Sequence, residues 1–177
     1  YILCEKAATN LQDGSDYLTE QVRLYVMTGQ QTYLDNYFEE ANHTRRRENA
    51  LDALQTYFDG TRTFAALRTA MDLSTQLMDT EYYAMRLVLE TGDSDQVSWP
   101  APIQAITLSA DDEALSSSGK LRRAQQLVCD DNYQSVRTQI SAQVSRCLSD
   151  LIQQTRDQQS QASVVFFGMY QKLEMSI

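Results

Sequence analysis

The sequence predicts an all-α protein, an antiparallel up-down helical bundle of four long helices plus a shorter inserted one. Two prolines and six glycines in 177 residues leave few helix breakers for the interior of any element. Apolar residues recur at three-to-four spacing along almost the whole chain. The strong turn signals fall at Gly29, at Asp59-Gly60 and within residues 93–109, so the stretches between them are long.

Each element follows from those signals. A first helix covers about 2–28, with Leu11, Leu18, Val22 and Tyr25 on one face, and Gly29 suits its left-handed C-terminal cap. A second, about 31–58, carries Leu34, Phe38, Ala41, Leu51, Leu54 and Phe58 as one stripe and stops at Asp59-Gly60. The third, about 62–91, has the clearest seam. Phe64, Leu67, Met71, Ser74, Met78, Glu81, Met85 and Val88 alternate three and four apart, interrupted only by Ser74 and Glu81.

Residues 93–109 hold Trp99 and both prolines and read as a long connection. Ser109 and the acids after it open a shorter helix, about 111–129. The last helix runs from about 131 toward 175, about 65 Å at 1.5 Å per residue. Its polar middle, Gln153 to Gln161, is either a solvated stretch projecting past its neighbours or a break. The whole is one domain, 1–177, built as two hairpins, about 1–60 and 61–177, with the insertion at 93–129.

Two internal echoes support the hairpin reading. RLYVMTG at 23–29 matches RLVLETG at 86–92 in Arg, Leu, Thr and Gly, and Asp-Asn-Tyr occurs at 35–37 and again at 131–133. The second offset exceeds the first, as an insertion in the second half requires.

Composition narrows the function. A net charge of -9 repels a phosphate backbone, so no nucleic acid is expected as partner. No stretch nears the roughly 18 apolar residues of a membrane span. Cys4, Cys129 and Cys147 are too dispersed for a disulfide scaffold or a zinc site. About 27 Å of helix would separate Cys129 from Cys147, so only a bridge to Cys4 remains open. His43 is the sole histidine. A di-metal carboxylate site needs two Glu-x-x-His pairs, and a hydrolytic triad lacks its nucleophile turn. Without a glycine-rich phosphate loop, the sequence predicts no cofactor, no metal and no enzyme activity.

Candidate ligand-binding residues are Arg23, Tyr25, Tyr37, Glu81, Arg86 and Trp99. Arg23 and Arg86 precede the two Thr-Gly turns, where a guanidinium suits a carboxylate ligand. The seam pattern points both away from the centre, toward solvent or a second subunit. Glu81 reads as a partly exposed rim position, because an unpaired buried carboxylate is costly. The aromatics Tyr25, Tyr33, Tyr37, Tyr82, Tyr83 and Trp99 either wall a pocket near the Gly29 and Gly92 turns or form core. The basic run His43 to Arg47, with Glu39, Glu40, Glu48 and Asp52 nearby, reads as intrahelical pairing on a solvated face.

The stretch LTEQVRLYVMTGQQTYLDNYFEE, then TRRRENAL and later LVCDDNYQSVRTQI, resembles the extracytoplasmic all-helical sensor domains of bacterial transmembrane receptors: chemoreceptors, sensor histidine kinases and diguanylate cyclases. The resemblance implies a periplasmic domain of an inner-membrane protein. Its first helix would continue from one span and its last would lead into another. It also implies a homodimer and a small-molecule ligand of unspecified identity, bound between helices or protomers, that biases two packings and shifts the terminal helix. It puts Arg23 and the Tyr25 neighbourhood first for mutation. The alternative is a free-standing helical interaction or adaptor module. Apolar spans on both sides of the fragment in the parent gene would distinguish the receptor domain.

Overall fold

The computed structural model describes residues 2–174 and is all-helical, with no strand among the described residues. Helix α1 covers Ile2–Thr28 and buries Leu11, Leu18, Val22 and Tyr25. It ends at Gly29, whose φ of +67° is the left-handed region and whose N–H meets Tyr25 O at 2.7 Å. The segment expected as one helix over 31–58 is divided. Helix α2, Gln31–Glu39, runs into a π turn at Glu40–Thr44, and α3, Arg46–Phe58, starts anew after Arg45 at φ +49°.

The break is built by side chains that the apolar stripe does not reveal. Glu40 is buried, and its carboxylate accepts from the Arg46 N–H at 3.1 Å and from Arg46 Nε at 3.0 Å, capping the new helix. The wider π turn shifts the helical phase of α3 relative to α2. Arg47, expected on a solvated face, is therefore buried. Gly14 of α1 permits this: a Cβ there would stand 2.9 Å from Arg47 Cγ and 3.2 Å from Arg47 N.

Helix α4, Arg62–Leu89, starts at Thr61, whose Oγ1 accepts from the Phe64 N–H. Its seam faces inward, and all of it is buried except the half-buried Ser74. The connection after it contains a 3₁₀ turn at Gln96–Ser98 and the single-turn helix α5, Ala101–Gln104. The helix expected over 111–129 is two, α6 at Ala110–Glu113 and α7 at Ser117–Cys129, each opened by a serine cap, Ser109 and Ser116. Helix α8 then runs unbroken over Asp131–Glu174, with its polar middle solvated. The described chain therefore has six helices of nine residues or more, not four long ones and a short one.

Helix α8 is antiparallel to α1: Asp16 meets Arg137, Gln12 meets Ser145 and Cys4 meets Thr155. The other main partners are α1 with α3, α4 with α8 and α4 with α7. All three cysteines are free, so the bridge left open to Cys4 is not formed.

Candidate functional site

The packed helices hold two apolar cores, not one. The first gathers Leu18, Val22, Tyr37, Met85, Trp99 and Tyr133, and the second Leu11, Leu54, Phe64, Leu67, Val144 and Leu151. Between them lies a cavity of about 300 Å³, bounded by α1, α3, α4 and α8. Its mouth carries the exposed Gln12, Asp16 and Ser141, and Arg137 Nη2 meets Asp16 Oδ1 there at 2.7 Å. Leu11, Leu18, Met71, Leu77, Met78 and Ile140 form the apolar wall.

Two charged side chains stand in this interior. Arg47 is 4% exposed. Its Nη1 donates to Ser74 Oγ at 3.2 Å, its Nη2 donates to Glu48 Oε1 at 3.1 Å, and its Nε is buried with no partner. Glu81, expected at an exposed rim, is also 4% exposed. The rim reading fails because two tyrosines meet the carboxylate from other helices. Tyr37 Oη donates to Oε2 and Tyr133 Oη to Oε1, each at 2.6 Å, the distance of a charge-assisted bond. Burial pushes the Glu81 carboxyl above its ordinary range, while the two hydroxyls and the charges of Arg47 and Arg137 act the other way. Both tyrosine hydroxyls are held well above their usual range by burial and by the Glu81 charge.

The candidates read from the sequence are thus divided in space. Tyr37 and Glu81 come together beside the cavity. Arg23 and Arg86 do not face solvent or a free surface as expected, because α7, α8 and the 93–109 connection fold over them. Arg23 donates from Nε to Val128 O and lies over the Tyr133 ring, 5.5 Å from its centroid. Arg86 lies 4.6 Å over Trp99 and pairs with Glu90 at 2.7 Å. Trp99 is buried, its Nε1 donating to Ser94 Oγ. Tyr25 lines a groove of about 340 Å³ between the Gly29 and Gly92 turns. Of the six aromatics expected near those turns, only Tyr25 lines it; Tyr37 and Tyr82 instead contact Phe38 edge-on and stacked, within the first core.

Sequence reasoning missed Arg47, Arg137 and Thr19. Ser74 and Glu81, the two interruptions of the α4 seam, were the legible signal, and both line the cavity. Among the described residues, no group of three or more His, Cys, Asp or Glu side chains is placed to hold a metal ion. No described helix is long and apolar enough to cross a membrane. Comparison with family models, with curated proteins and with solved structures finds no match to this chain.

Proposed function

We propose that this chain is a ligand-sensing domain of a membrane-anchored receptor. It is an antiparallel up-down bundle of two hairpins in which a small molecule enters the central cavity and shifts α8. The observation that carries the reading is the cavity itself, a polar gap between two separate cores with the buried Arg47 and Glu81 side chains on its wall. A ligand held there would favour the packing in which α3, α4 and α8 close around it.

Helix α8 provides the route for that shift. It lines the cavity from Arg137 to Val144, meets α1 again at Thr155 and Arg156, and continues to an exposed apolar segment, Val164 to Leu173. In the receptor reading this segment pairs with a second protomer and leads toward the membrane, and the domain lies in the periplasm. Those features rest on the resemblance of the RLYVMTG and Asp-Asn-Tyr stretches to extracytoplasmic sensor domains.

The test is a thermal-shift screen with small acids, amino acids, amides and amines. A ligand at a hundred times its dissociation constant adds about 2.7 kcal/mol, which moves Tm by roughly 5–10 °C for a chain this size. Ser74→Leu, which places an isobutyl group in the cavity, is expected to abolish the shift. Absence of any shift would leave the adaptor reading, with the exposed Val164 to Leu173 segment as its docking helix.

A further inference from the structure

We infer that the groove between the Gly29 and Gly92 turns is a second ligand site, and that its ligand is a small primary amine. The ammonium donates to the Tyr25 hydroxyl, the Asp93 carboxylate and the carbonyls that end α1, and its alkyl body lies along Val88 and Leu121. The site shares no lining residue with the central cavity and does not depend on a ligand there.

Helices α1 and α4 both run antiparallel to α8. Asp16 with Arg137 and Gln12 with Ser145 show it for the first, and Thr63 with Gln154 and Glu81 with Tyr133 for the second. Their C-termini therefore reach the same end of the bundle, and both line the groove through the Thr28-Gly29 and Thr91-Gly92 pairs of the sequence echo. A helix C-terminus presents unfilled carbonyls and the negative end of its dipole. At α4 the Thr91 and Gly92 N–H groups fold back onto Val88 O and Leu89 O. At α1 the Gln30 N–H turns instead to Thr28 Oγ1, and among the described residues no backbone N–H reaches the carbonyls of Val26, Met27 or Thr28, which all line the groove.

Tyr25 points to a ligand independently. The residue is 3% exposed, and its hydroxyl meets no hydrogen-bond partner among the described residues. Unlike the unpaired nitrogens of Arg23, Arg47 and Arg86, which are fully enclosed, that hydroxyl is not sealed off, and Tyr25 lines the groove. Charge then selects the class. Asp93 is the one charged side chain in the lining among the described residues, and the Asp35 charge acts on the Tyr25 hydroxyl. The neighbouring cations Arg86 and Lys120 are both held by Glu90. A carboxylate ligand would meet Asp93 and two negative helix ends, and a metal ion would find a single carboxylate. An ammonium brings three donors and no acceptor, the complement of what the groove offers. Val88 and Leu121 suit a short alkyl body, and about 340 Å³ is the lower end of small-molecule sites.

Titration calorimetry at neutral pH with butylamine, butanol, butyrate and calcium chloride tests this. Trp99 supplies a local signal: it is the sole tryptophan, and its Nε1 donates to Ser94 Oγ, which lines the groove, so its fluorescence follows occupancy. Butylamine is expected to bind at least about tenfold more tightly than butanol, as a charged hydrogen bond implies, and butyrate not at all. Asp93→Asn, at an exposed loop position, is expected to lose about tenfold of that affinity, and Tyr25→Phe severalfold. Ser74→Leu, which fills the central cavity, is expected to change neither the affinity nor the Trp99 response. Unchanged affinity in Asp93→Asn or Tyr25→Phe, or loss of binding in Ser74→Leu, would place the amine elsewhere and overturn the site. Equal binding of butanol, or preferred binding of butyrate or calcium, would overturn the amine class. No binding of butylamine would overturn the inference and leave the central-cavity reading to its own screen.

Discussion

Tyr37 and Tyr133, 96 residues apart in the sequence, donate their hydroxyls to the two oxygens of one carboxylate, that of Glu81. They are the tyrosines of the two Asp-Asn-Tyr triplets. One stands in α2, and the other is in the first turn of α8, where its N–H is capped by Asp130 Oδ1 at 2.7 Å. The echo read in the sequence thus has a physical counterpart: each triplet supplies one O–H to the same carboxylate on α4.

Removing either hydroxyl leaves one oxygen of a buried carboxylate unmet. Tyr37→Phe and Tyr133→Phe are each expected to cost about 1–3 kcal/mol. The double variant should depart from the sum by at least about 0.5 kcal/mol, because the two share one acceptor. Urea unfolding of the four proteins checks this, and strict additivity would mean that the hydroxyls do not compete for one charge.

Glu81 also sets a pH dependence. Its carboxyl is raised in the folded state from the ordinary 4.5, chiefly by burial, so the folded chain binds that proton more tightly than the unfolded chain. The Glu81 contribution to stability therefore falls as pH rises from about 4.5 through the raised value. Relative to Glu81→Gln, which does not titrate, the parent chain should gain stability on acidification from pH 7 toward pH 5. Urea midpoints at several pH values measure the difference, and a constant difference would contradict the burial argument.

At the alkaline end, Tyr25 is pushed up to about 12 by burial first and by the charge of Asp35 second. The unfolded chain ionises this phenol near 10, so stability is complete below pH 10 and declines as pH rises from about 10 to about 12. Tyr25→Phe should remove part of that decline. The measurement pairs thermal unfolding with phenolate absorbance over the same range.

The division between α2 and α3 predicts substitutions of opposite sign. Arg45 is exposed and holds φ +49°, a conformation that favours glycine, so Arg45→Gly should stabilise by about 0.5–1 kcal/mol. Glu40→Ala removes the carboxylate that caps α3 and pairs with Arg46, and should cost about 1–3 kcal/mol. Thermal unfolding of both variants tests the assignment of the π turn.

Gly14 offers a steric test. A glycine in a helix interior ordinarily costs up to about 1 kcal/mol relative to alanine. Here a Cβ would press on Arg47 Cγ at 2.9 Å and on backbone N at 3.2 Å, so Gly14→Ala should instead destabilise, by about 1–2 kcal/mol. Gly168, with nothing within 4 Å, is the control, and alanine there should raise helix content measured by circular dichroism.

The sequence by itself determined where most of the helices run and which of their faces point inward. The Phe64-to-Val88 seam, the Gly29 turn and the Asp59-Gly60 stop arise from interactions among residues within one or two turns of each other, which local spacing records. Only the tertiary structure decided which charges are inside. Arg47 is buried because Glu40 caps a second helix start and Gly14 of another helix makes room for it. Glu81 is buried because hydroxyls 44 and 52 residues away arrive on its two oxygens. Arg23 and Arg86 are covered because Tyr133 and Trp99 come from outside their own helices. Whether a buried charge is tolerable depends on partners brought by other elements, and helical spacing within one segment carries no record of them.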